Sequence, residues 1–118
     1  MVMMMDDPAL EQRRAALKRA NRVRFARAEL KRQIVAGEVD LAELVLDPPE
    51  ILLSAKIGDV LEWGYGIGRW RAQRILAGGV AGRPPVARAN ARLEHLSVAT
   101  RARIADAVRE VAFSRRAA

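Results

Sequence analysis

Residues 63–76 read WGYGIGRWRAQRIL, a glycine-rich turn between two helix-forming runs. Gly64, Gly66 and Gly68 alternate with Tyr65 and Ile67, and a helix-forming run starts at Arg69. Glycine at every second position makes poor helix and poor strand, because each one adds backbone freedom without a side chain to pack. It does make a tight turn. The segment before it, Ala55–Glu62, has a helical pattern, and the segment after it runs as helix to about Ala77, where Gly78-Gly79 stops it. A turn set between two helices, in a chain with no strand-period segment, predicts an all-α fold.

Such a turn leaves N–H groups uncovered just ahead of a helix N-terminus, where orphan donors and the positive end of the helix dipole favour an anion. Arg69, Arg71 and Arg74 add full charges over the same first turns. A mononucleotide cradle would end in Gly-Lys-Ser/Thr, whereas this loop ends Gly68-Arg69-Trp70. A dinucleotide fingerprint needs a strand before the loop and an acid about twenty residues beyond it, yet no acid lies between Trp63 and Leu93. Two readings remain: a phosphate grip on a nucleic-acid backbone, or a plain glycine-rich connector between packed helices. The placement of the arginines favours the grip.

Charge and composition narrow the field. At 118 residues the chain is large enough for one domain with a modest core. A net charge of +7 and a pI near 11.2 point to a polyanionic partner. The charges are segregated along the chain. Between Gly37 and Glu62 seven acids stand against Lys56 alone; between Trp63 and Leu93 every charge is an arginine, at positions 69, 71, 74, 83, 88 and 92. The absence of cysteine and the single histidine, His95, remove disulfides, zinc sites and thiol catalysis, and no cofactor is expected. His95, with no nucleophile constellation around it, reads as a structural or solvent residue. No apolar run reaches the length of a membrane span. Met1–Met5 is short, precedes Asp6-Asp7 and lacks the basic and long apolar regions of a signal peptide.

From the N-terminus, residues 1–7 read as a disordered tail. Asp7-Pro8 is a cap and first helical position, and nothing interrupts the helix from 8 to 36 before Gly37 ends it. Val23, Ala26, Leu30 and Ile34 form an apolar stripe that should dock on the core. The N-terminal half is basic and core-poor, with Arg14, Lys18 and Arg22 on one face at four-residue spacing. It is either a solvated overhang or a second nucleic-acid contact. A short helix over Val39–Leu46 follows, with Asp40 as its cap and Leu41, Leu44 and Val45 inward. Ser54 is expected to cap the helix through Glu62, and Ser97 the last helix, to about Phe113. Val98, Arg101 or Ala102, Ala105, Val108 and Ala112 or Phe113 are expected on one side of that last helix. Residues 8–113 are thus one helical domain, a long basic helix (8–36) and a compact remainder (38–113), with a frayed tail at 114–118. Trp63 and Trp70 are expected in the core, with stacking on DNA as the other use of an indole; Tyr65 at the loop tip is the exposed aromatic.

Taken in order from about Leu10 to Val111, the pieces resemble the actinobacterial-type integration host factor family. Leu30, Lys31, Ile34, Gly37, Leu41 and Val45 are similar to the family's "LK…L..G…L..V" stretch, and residues 51–76 resemble its helix, "P-x-V-G-K-V-x-A" turn and following helix. Gly66, Gly68, Arg69 and Ala72 stand near matching places, and Arg92-Leu93 fits the approach to the last helix. The sequence departs where the family has proline before the turn (Gly64 or Tyr65 here), a small aliphatic (Trp70), and an arginine and glycine (Glu94 and His95). Its Ala77–Asn90 connection is also longer. The resemblance implies an all-helical, helix-two-turns-helix protein that binds double-stranded DNA through backbone phosphates and bends it. A role in recombination or integration, compaction and gene regulation at the cytoplasmic nucleoid goes with it. The expected DNA contacts are Gly64, Tyr65, Gly66, Ile67, Gly68, Arg69, Arg71, Arg74 and Arg92, with Arg14, Lys18 and Arg22 from the long helix. The expected protein is a monomer without enzymatic activity, small-molecule substrate or membrane partner. RNA or ribosome binding shares the same electrostatics; a glycosylase-like activity would need a catalytic amine, and the lysines are only Lys18, Lys31 and Lys56.

Overall fold

A computed structural model describes residues 7–64, 67–78 and 85–117, with side chains as far as Val111. The tail at 1–6, Tyr65, Gly66 and residues 79–84 lie outside the described residues. The protein is all-helical: α1 (Pro8–Val35), α2 (Leu41–Leu46), α3 (Ile57–Glu62), α4 (Arg69–Leu76) and α5 (Val98–Ala117), with 3-10 turns at Glu50–Leu52 and Leu93–His95. Among the described residues the only β feature is an isolated antiparallel bridge between Lys56 and Arg92.

Local chemistry accounts for half of the helix ends. The Asp7 side chain accepts from the Ala9 amide at 3.0 Å and Asp40 from the Ala42 amide at 2.9 Å, while Ser97 Oγ accepts from Thr100 at 3.1 Å. Each satisfies an orphan donor of the first turn. At the end of α1, Gly37 takes φ +77°. The Glu38 amide donates to Gln33 O at 2.9 Å and Gly37 to Ile34 O at 3.1 Å, the paired bonds of a Schellman ending that needs a left-handed residue. Gly78, at φ +99°, stops α4 in a similar way.

The expected cap at Ser54 is not made. α3 begins at Ile57, with no side chain capping it. Instead the Ile57 amide donates to Ala91 O at 2.8 Å and the Gly58 amide to Ala89 O at 2.9 Å. The stretch before the last helix is laid across the start of α3, and its carbonyls do what a capping hydroxyl would have done. Ser54 Oγ accepts from Arg27 Nη2 instead, at 2.7 Å.

The core gathers residues from every element. Leu52, Ile57, Leu61, Leu93 and Ile104 are completely buried, each stabilising the fold by about 1.5–3 kcal/mol through water exclusion. α2 packs along α5 and α3 against α4. On α5 Ala105 and Val108 are buried as expected and Arg101 and Ala102 half-buried, but Val98 is 73% exposed and Ile104, not expected there, is buried. That helix also continues to Ala117, past the expected end at Phe113.

The long helix divides as its pattern predicts. Ile34 is buried, and Leu30, Ala26 and Val23 are half-buried. Arg27 fastens this half to the first 3-10 turn, its Nε donating to Ile51 O at 2.7 Å. Residues 7–22 are all exposed. The 28 residues of α1 run about 42 Å at 1.5 Å each, and the molecule measures 72 × 30 × 22 Å.

Candidate nucleic-acid interface

Helix α4 is oriented by its apolar residues. Ala72, Ile75 and Leu76 are buried, at the spacing of one helical face, so Arg69, Trp70, Arg71, Gln73 and Arg74 are left on the outside, all exposed. Its N-cap is Gly68, an extended residue (φ −82°, ψ −179°) without a side-chain cap. A Cβ built on Gly68 meets nothing within 4 Å. Among the described residues no protein acceptor reaches the amides of Gly68 and Arg69, and Arg69 has no acidic partner. Donors left without protein partners at a helix start suit an anion.

The first half of the loop does something else, which corrects the expectation of a turn with uncovered amides throughout. The Gly64 amide donates to Leu61 O at 3.1 Å, and the Ile67 amide to Gly64 O at 3.0 Å. Ile67 is 5% exposed and belongs to the core. A Cβ on Gly64 would stand 2.7 Å from Leu41 Cδ2 and 2.8 Å from Ile67 Cδ1. Gly64 therefore serves close packing, and the outward part of the loop among the described residues begins at Gly68. Tyr65 and Gly66, two expected contacts, lie outside the described residues.

Trp63 is half-buried against the core, as expected, but Trp70 is 66% exposed, which corrects its expected burial. The Arg74 guanidinium lies 5.2 Å from the centre of its ring, inside the range of a cation–π contact. Trp70 is outside because Ala72 and Ile75, two and five residues on, set the inward face.

The remaining expected contacts stand elsewhere. Arg92 is exposed and bridged to Lys56 at the start of α3, whereas Gly68 follows the loop from that helix's other end. Leu93 N–H to Ala55 O at 3.1 Å and Glu94 N–H to Leu53 O at 2.9 Å hold this segment down. Arg14, Lys18 and Arg22 lie on the overhanging half of α1, and among the described residues no hydrogen bond or ion pair ties them to the core. The expected basic contacts among the described residues thus fall on three parts of the fold: α4, the Lys56–Arg92 bridge and the arm.

Other cations are committed to the protein itself. Arg32 pairs with Glu29 at 2.8 Å and with Glu38 at 3.6 Å; its hydrogen bond holds the Glu29 carboxyl below the usual carboxylate value. Arg109 of α5 reaches Glu43 of α2 at 2.9 Å. The role of Arg27 as a docking residue, and of Gly58 as a contact point, was hidden in the sequence; an isolated glycine within the α3 pattern was the one available sign. A Cβ on Gly58 would come within 2.9 Å of both Ala89 Cβ and Ala89 O. His95 is a surface residue beside Glu94, at 3.6 Å. Among the described residues no group of His, Cys, Asp and Glu side chains could hold a metal ion, and no helix is long and apolar enough to cross a membrane.

Comparison with protein-family models, with curated proteins and with solved structures gives no match.

Proposed function

We propose that the protein binds double-stranded DNA through its backbone phosphates, with little sequence preference, and bends it as an architectural protein of the integration-host-factor kind. Recombination or integration, chromosome compaction and gene regulation at the nucleoid are the processes such binding serves. The observation that supports this most is the run from Trp63 to Leu93, which contains no acid and places Arg69, Arg71 and Arg74 on the outer face of α4, next to the open Gly68. Phosphates would take the Gly68 and Arg69 amides and the guanidinium of Arg69. The arm, through Arg14, Lys18 and Arg22, extends the contact along the duplex, and Arg92 adds one beside Lys56. The 72 Å length of the molecule matches about twenty base pairs at 3.4 Å each.

The reading is non-enzymatic. Lys18, Lys31 and Lys56 are all exposed, which does not suit a catalytic amine, and an abasic-site nicking assay should find no cleavage. The decisive experiment is a fluorescence-anisotropy titration of labelled 24-base-pair DNA at several salt concentrations, beside an RNA duplex of the same sequence. Five or six phosphate contacts give a log–log slope of about −5, with DNA bound more tightly than the A-form duplex, whose groove and phosphate spacing differ. Tighter RNA binding would move the assignment to an RNA or ribosomal partner; salt-insensitive binding would overturn the phosphate grip.

A further inference from the structure

Among the large apolar residues left on the surface, Trp70 differs in its company. Leu10, Leu17, Phe25 and Val98 are also exposed, and scattered single hydrophobes need no explanation. Of the two aromatic ones, Trp70 and Phe25, Trp70 has a guanidinium at its ring, Arg74 at 5.2 Å. Arg69 and Arg71 flank it in sequence on the exposed side of α4, and the open Gly68 lies two residues before it.

We infer that Trp70, braced by Arg74, is a stacking platform for an unpaired nucleobase. The inference rests on the phosphate-binding reading of the same helix and adds to it what the DNA must look like. Two features fix the ligand class. An indole face attracts a flat π-system, and the surrounding arginines attract negative charge. A nucleotide carries both on one unit; an acidic peptide supplies the charge without the flat ring. The cation–π contact also restrains the indole before any ligand arrives, which lessens the ordering cost of binding.

The platform adds affinity for DNA with an open base face, beyond what the phosphate grip gives an intact duplex. Every base inside a helix already has both faces covered by its neighbours, and exposing one costs a few kcal/mol of unstacking. A base in a bulge or a gap has an open face at the outset. Trp70 therefore directs the protein to DNA that holds unpaired bases, while the arginines and amides hold the flanking phosphates.

The test compares two labelled DNA duplexes, one intact and one carrying a two-nucleotide bulge, binding to the full chain and its Trp70→Ala and Trp70→Phe variants. The wild type should bind the bulged duplex about tenfold more tightly, the scale of one stacked base, with its tryptophan emission quenched. Trp70→Ala should bring the ratio of the two affinities to about one, and Trp70→Phe should keep part of it. Since Trp70 is exposed, both variants should melt with the wild type. If the wild type binds both duplexes equally, or Trp70→Ala keeps the preference, the platform is overturned and the phosphate grip stands. If the wild type binds neither duplex, both readings fall together.

Discussion

Helices α3 and α4 follow one another in the chain, and each starts at or beside a glycine, yet the two starts face opposite ways. At α3 the amides of Ile57 and Gly58 are taken by the carbonyls of Ala91 and Ala89, and Gly58 is wedged against Ala89 with no room for a methyl group. At α4 the Gly68 and Arg69 amides have no acceptor among the described residues, and Gly68 borders open space. The same local device, a helix N-terminus without a side-chain cap, closes the fold in one place and is offered outward in the other. The difference is made by what arrives: a distant piece of the chain at α3, and arginines at α4.

Four measurements break or sharpen this contrast. The largest effect belongs to the whole phosphate grip, of which the outward start is one part: raising salt from about 50 to 200 mM should weaken DNA binding about a thousandfold at a slope of about −5, while thermal melting moves little. Next, Gly58→Ala should destabilise the fold by about 1–3 kcal/mol, since the added methyl overlaps Ala89 in a packed site; a variant with wild-type denaturant stability would mean that the α3 start is not held as described. Arg69→Ala should lower affinity for all DNA sequences alike and flatten the salt slope by about one unit, with no change in melting. The smallest effect is Gly68→Ala, within about 0.5 kcal/mol of wild type in stability, because its extended backbone suits any residue. A large loss there would show that the two glycines are equivalent after all.

What the sequence made legible follows from range. The caps at Asp7, Asp40 and Ser97 and the stop at Gly37 act within a few residues of themselves, so their chemistry can be read locally. The stripe from Val23 to Ile34 has one phase and docks as read. The docking of residues 89–94 on α3 joins backbone groups over thirty residues apart and leaves no side-chain signature, so Ser54 took the role that Ala89 and Ala91 perform. α5 carries alanines at 99, 102, 105, 107 and 112, so several phases serve almost equally well, and Ile104 settles what the alanines leave open. At the candidate site the arginines of α4 were legible from spacing, and so was the break after Gly68. The inward turn of Gly64 was not, because it depends on Leu41, and the exposure of Trp70 was masked by the usual place of an indole.

The first fifteen residues of α1 rest on nothing else in the described protein, and this leaves them unusually open to change. Every residue between Pro8 and Arg22 is exposed, so a substitution there acts on folding mainly through helix propensity and neighbouring charges on the same helix. Lengthening, shortening or recharging that segment should leave the domain that carries it folding as before.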